Sequence, residues 1–93
     1  MSRDELRSTL SVLLEEEMGE TYPDLEDERD LREGLGLDSV DVVGLVMRIE
    51  REYHIRLTME ELQEVKIVGQ MLDLLEAKLA ARPETEDGET RAA

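Results

Sequence analysis

In the stretch GLGLDSVDVV, residues 34 to 43, one serine follows an aspartate. Gly34 and Gly36 lie just upstream, and an apolar run lies just downstream. Asp38 is a preferred N-cap type, so Ser39 falls on the first turn of a helix. The first N–H groups of a helix have no partner within it, and the helix dipole adds partial positive charge there. A phosphate ester on the Ser39 hydroxyl would be well placed in that field. The two glycines allow a tight turn and leave room for an enzyme's active site to approach. The plainer reading of the same residues is a helix cap and nothing more. The chain has no Cys and one His, His54, read as a solvent-facing turn residue. That excludes disulfides and thiolate zinc sites, and it argues against a His-built metal site. DLEDERD lacks the glycine and final glutamate of an EF-hand loop. No metal site and no catalytic residue are expected.

The elements that position Ser39 follow from hydrophobic spacing. Leu6, Leu10, Leu13, Leu14 and Met18 form one helical stripe. Ser2 and Glu5 make a capping box, with Met1 and Leu6 as its hydrophobic staple, and Gly19 is a stop. Residues 19–38 hold eight acidic and two basic residues, one Pro and three Gly. This reads as a long acidic loop pinned by Leu25, Leu31 and Leu35, and a loop of such length in a small domain is usually functional. Helix two is expected from Ser39 to Tyr53, with Leu37 and Val42 as its staple. Val42, Val43, Leu45, Val46, Met47, Ile49 and Tyr53 give it a wide apolar surface, against a narrow polar face of Asp41, Gly44, Arg48 and Arg51. Thr58 and Glu61 cap a short third helix, with Leu57 and Leu62 as staple. A last helix runs from about Ile67 to Ala80, with Val68, Met71, Leu72, Leu75 and Leu79 inward. The spacing predicts an all-α bundle of four helices in a single domain, residues 1–81. Residues 82–93 have no apolar residue larger than Ala and are expected to be disordered.

The chain has 93 residues and a formal charge of −14. One small core and a thin stability margin follow from the length. The charge repels nucleic-acid phosphates and anionic headgroups and favours basic protein surfaces. The N-terminal residues lack the apolar run of a signal peptide, and no stretch is long enough to span a membrane. The expectation is a soluble, cytoplasmic monomer that binds neither nucleic acid nor membrane.

LGLDSVDVVGLVMRIEREY resembles the phosphopantetheine attachment region of acyl carrier proteins. The resemblance extends from Ser2 to about Ala80 and includes the helix order, the long first loop and the short third helix. It implies that Ser39 carries 4′-phosphopantetheine through a phosphodiester, installed from coenzyme A by a phosphopantetheinyl transferase. The arm's thiol would hold acyl groups as thioesters, a thiol the chain itself lacks. The protein would be a carrier, not an enzyme, raising effective concentration at successive active sites. Its partners would be acyl-loading and chain-processing enzymes with basic surfaces. Asp38 would cap the helix and mark the transferase site. Val40, Asp41, Gly44 and Arg48 would meet partners, and Val46, Met47, Leu62, Val65 and Met71 would border an acyl-chain groove.

The chain departs from the family in ways that bear on pathway. Val40 replaces the usual Leu, Gly44 falls where many members carry Glu, and Arg48 and Arg51 put positive charge on a face that is often acidic. These departures suggest a specialised polyketide or fatty-acid-like pathway. Leu62 and Met71 stand where alanine is common, so the groove is expected to be filled, leaving a long saturated chain outside. A peptidyl carrier, or an unmodified acidic adaptor for a basic protein, are the alternative readings.

Overall fold

The computed structural model describes residues 2–23 and 25–81. The staple expected of Met1 and the tail expected from residue 82 lie outside the described residues. Four helices follow one another: α1 (Arg3–Met18), α2 (Ser39–Tyr53), α3 (Met59–Gln63) and α4 (Val68–Ala81). α1 packs on both α2 and α4.

Local signals set the helix ends. Ser2 Oγ accepts from Glu5 N while a Glu5 carboxylate oxygen accepts from Ser2 N, and Gly19 closes α1 with φ 78°. Thr58 and Glu61 repeat the reciprocal pair at α3. These pairs satisfy N–H groups that the helix leaves open. α2 ends at His54, exposed and left-handed at φ 56°, whose N–H reaches Glu50 O. α4 starts one residue later than expected. The Gln70 side chain accepts from Lys66 N at 2.7 Å and Ile67 N at 3.2 Å, which holds Ile67 just ahead of the helix.

The core joins Leu6, Leu10 and Leu14 of α1 to Leu45 and Ile49 of α2 and Val68, Met71, Leu72 and Leu75 of α4. Leu79 is only partly buried. The acidic loop contributes Tyr22, Leu25, Leu31, Leu35 and Leu37, all buried. It is also hydrogen-bonded to the start of α4. Leu31 N donates to Lys66 O, Val68 N to Arg29 O and Gly69 N to Asp27 O, each at 2.9 Å. Arg3 reaches Asp27, Asp73 and Glu76 at 2.9–3.1 Å, and Arg7 reaches Asp27 at 2.7 Å and Leu25 O at 2.6 Å. The loop that delivers Ser39 is thus fixed to both α1 and α4.

The wide apolar surface expected of α2 is divided. Leu45, Val46, Ile49 and Tyr53 are buried and Val42 is half-buried, but Val43 and Met47 are exposed. One helix cannot bury more than the arc its neighbours cover, and the remainder of the apolar arc is left on the surface.

Candidate functional site

Two glycines shape the approach to Ser39, for different reasons. Gly36 has φ 78°, a left-handed conformation that residues with a Cβ rarely adopt. At Gly34 a Cβ would lie 2.6 Å from the backbone oxygen of Asp30, which accepts from Gly34 N at 2.8 Å. The chain then extends through Asp38 (φ −99°, ψ −173°) and enters α2 at Ser39.

Asp38 caps the helix. Its Oδ1 accepts from Asp41 N at 2.9 Å, and Asp41 Oδ2 accepts from Asp38 N at 3.2 Å. Asp41 was expected to face partners, but its carboxylate is turned back onto the cap. Asp41, three residues after the expected cap Asp38, is the second half of a capping box whose spacing is legible in the sequence. Ser39, next to this box, is exposed, and its hydroxyl has no hydrogen-bond partner among the described residues. Ser2 and Ser11 differ: Ser2 Oγ is spent on a cap, and Ser11 Oγ donates to Tyr22 O. An exposed, unengaged hydroxyl at the positive end of a 15-residue helix can accept a phosphate ester without disturbing the fold.

The remaining expected contact residues separate. Val40 is 75% exposed. Gly44 and Arg48 lie at the seam with α1, not on an open face. A Cβ on Gly44 would run into the Glu17 carboxylate, and Arg48 binds Glu17 Oε1 at 2.9 Å and Glu16 Oε1 at 3.3 Å. The hydrogen bond to Glu17 holds the Arg48 guanidinium above its ordinary pKa. Val43 and Met47, expected within the wide apolar surface of α2 and Met47 also at the groove, are exposed beside Val40.

Of the expected groove residues, the structure brings together Leu62, Val65 and Met71. They line a cleft of about 450 Å³ with Leu31 and Val42, and its lining also includes Asp30, Arg32, Glu33, Gln63 and Lys66. Val46 is buried away from this lining and Met47 is on the outer surface. Met71 is buried in the core and Leu62 is half-buried against it, and both border the cleft, whose size lies within the roughly 300–1,000 Å³ usual for small-molecule sites. Val42, on its wall, is three residues along α2 from Ser39.

Among the described residues no group of three or more His, Asp or Glu side chains is arranged to hold a metal ion, and no helix is long and apolar enough to cross a membrane.

The family model described as "Phosphopantetheine attachment site" matches residues 8–75. An acyl carrier protein of Saccharopolyspora erythraea is 36% identical over 83 residues, covering 86% of this chain and 87% of that protein. One from Thermotoga maritima is 32% identical over 78 residues, covering 84% and 96%. The crystal structure of the Thermotoga maritima acyl carrier protein superposes with a TM-score of 0.78 at 32% identity, over 86% of this chain and 93% of that one. The solution structure of holo acyl carrier protein from Geobacter metallireducens gives 0.71 at 27% identity, over 78% and 84%.

Proposed function

Given that the chain belongs to the acyl carrier protein family, whose prosthetic group is 4′-phosphopantetheine, we propose that Ser39 is the attachment serine and that the chain itself catalyses nothing. The observation that carries this reading is the exposed hydroxyl at the start of α2, unengaged beside an aspartate whose carboxylate is already committed to the cap. The group supplies a flexible arm ending in a thiol that holds the acyl cargo. This chain's residues do the rest. Asp38 and Asp41 fix the first turn, Gly34 and Gly36 shape the approach, and the N–H groups of Ser39 and Val40, which the cap leaves open, would supply donors near a phosphodiester on Ser39. The cleft lined by Val42, Leu62, Val65 and Met71 is the proposed resting place of the acyl chain.

The partners this reading implies are a phosphopantetheinyl transferase and the enzymes that load and process the acyl group. The pathway proposed is a specialised polyketide or fatty-acid-like one. Its support is α2, which carries Arg48 and Arg51 against Asp41, Glu50 and Glu52 and so lacks a strongly acidic face.

The test is incubation with coenzyme A, Mg²⁺ and a broad-specificity phosphopantetheinyl transferase, read by intact mass. One phosphopantetheine per chain is expected, and none on Ser39→Ala. A bare wild-type chain, or a modified Ser39→Ala variant, overturns the assignment. The mass of the acyl group on carrier isolated from its own cells then decides the pathway: an ordinary saturated fatty chain contradicts the specialised reading.

A further inference from the structure

The lining of the cleft mixes two kinds of side chain. Leu31 and Met71 are buried, and Val42, Leu62 and Val65 are half-buried. Arg32, Glu33, Gln63 and Lys66 line the same space and are exposed. Basic side chains are scarce in this acidic chain, and most are engaged. Arg3, Arg7, Arg48 and Lys78 bind carboxylates, and Arg29 donates to Gly34 O. Among the described residues, the side chains of Arg32, Arg51, Arg56 and Lys66 make no ion pair or hydrogen bond. Two of these four line the cleft, and the Gln63 amide beside them is equally unengaged.

These donors stand on a fixed frame. Leu31 N donates to Lys66 O at 2.9 Å, and Asp30 and Ile67 form an isolated antiparallel bridge. The bridge joins the loop that carries Arg32 to the α3–α4 connection that carries Lys66. Asp30 Oδ1 accepts from Arg32 N and Glu33 N, both at 2.8 Å, so this carboxylate serves the loop's own backbone. Glu33 is the lining carboxylate left without a hydrogen bond among the described residues.

A saturated chain in this cleft gains from the apolar lining but offers nothing to the three donors. Where it covers them, it cuts them off from water without replacing the lost hydrogen bonds, which costs free energy. Carbonyl or hydroxyl oxygens along the chain supply the missing acceptors, and hydrogen bonds to them from Arg and Lys are charge-assisted. A terminal carboxylate fits less well. Asp30 and Glu33 offset the two cations of the lining, and the whole chain carries −14.

We infer that the cleft selects a neutral, oxygenated acyl chain, and that Arg32, Gln63 and Lys66 are the specificity residues that donate to its keto or hydroxyl oxygens. The inference rests on the carrier reading of Ser39 and on the cleft as the acyl site, and it adds the chemistry of the cargo.

The probes are octanoyl, 3-oxooctanoyl, 5-oxooctanoyl and 7-carboxyheptanoyl chains, isotope-labelled and amide-linked to the arm so that they resist hydrolysis. A phosphopantetheinyl transferase places each on Ser39 from the matching coenzyme A analogue. Relaxation of the chain's methylene protons by a soluble gadolinium chelate reads the ratio of sheltered to exposed chain. At least one oxo chain should show a ratio about fivefold above octanoyl, as one added net hydrogen bond would give. Side-chain nitrogen signals of Arg32 and Gln63 should move with that chain and stay in place with octanoyl. Arg32→Met combined with Lys66→Met should bring the oxo chains down to the octanoyl ratio, and Arg32→Lys should keep most of the preference. Thermal midpoints close to wild type, and octanoyl still sheltered, establish that the variants keep the fold and the cleft. Oxo chains no better sheltered than octanoyl overturn the inference, and so does a preference that survives the double substitution. A 7-carboxyheptanoyl chain sheltered more than both oxo chains makes the cleft a carboxylate site and overturns it as well. If no analogue loads on Ser39, the carrier reading itself fails. If all load and remain equally exposed, the carrier reading stands and this inference alone falls.

Discussion

The Glu17 carboxylate of α1 occupies the space that a side chain at Gly44 of α2 would need: a Cβ there would sit 2.6 Å from Glu17 Cδ. Arg48, one turn along α2, holds that carboxylate at 2.9 Å. The absence of a side chain at position 44 and the arginine at position 48 are thus two halves of one packing arrangement between α1 and α2.

This arrangement predicts a non-additive pair of substitutions. Removing a mid-helix glycine normally gains about 1 kcal/mol in favour of Ala. In wild type, Gly44→Ala must displace Glu17 from Arg48, so its net effect should stay within about 0.5 kcal/mol of zero. In a Glu17→Ala background the full gain of about 1 kcal/mol should appear. Denaturant unfolding of the four proteins should give a coupling of about 0.5–1.5 kcal/mol. Strict additivity would show that the carboxylate moves aside freely.

A second prediction concerns acid. Hydrogen bonds from Arg7 and Arg3 hold the Asp27 carboxyl below its ordinary value of 3.8. A carboxyl lowered in the folded state stabilises the fold above its ordinary value and loses that contribution as pH falls through the lowered one. Asp27→Asn should therefore lower the thermal midpoint by a constant amount from neutral pH down to about pH 4, and the difference from wild type should close below pH 3.8. Glu61, lowered from 4.5 by its hydrogen bond with Lys78, predicts the same sign for Glu61→Gln, with the window opening just below pH 4.5. A gap that widens in acid would contradict both assignments.

The cleft makes a third prediction. With octanoyl-phosphopantetheine on the chain, amide NMR shifts should move at Val42, Leu62, Val65 and Met71, relative to the unacylated form. Val43 and Met47, on the outer face of α2, should stay unchanged. Met71→Ala should cost about 2–5 kcal/mol in the unacylated protein, because its side chain is fully buried. Part of that loss should be recovered when the octanoyl chain is present, as the ligand fills the enlarged space. Shifts confined to Ser39 and its neighbours would show that the chain stays outside.

Much of this molecule is written locally. The capping boxes at Ser2–Glu5 and Thr58–Glu61 each join residues three apart, and the stripe from Leu6 to Leu14 repeats with the helical period. Such interactions close within one or two turns, so sequence spacing alone determines them, and with them the start of α2 at Ser39. The sequence also determined that Leu25, Leu31 and Leu35 would draw the acidic loop inward, and Tyr22 and Leu37 of the same loop are buried with them. Only tertiary structure decided which arc of α2 faces the core. Val43 and Met47 are as apolar as Val46 and Ile49, and the positions of the neighbouring helices left the first two exposed. The same holds for Arg3 with Asp73 and Glu76, Arg7 with Asp27, and Glu17 with Gly44. Each is a contact between residues at least 20 positions apart. No short-range periodicity encodes such pairs; they exist because burial of the leucines brings their backbones together.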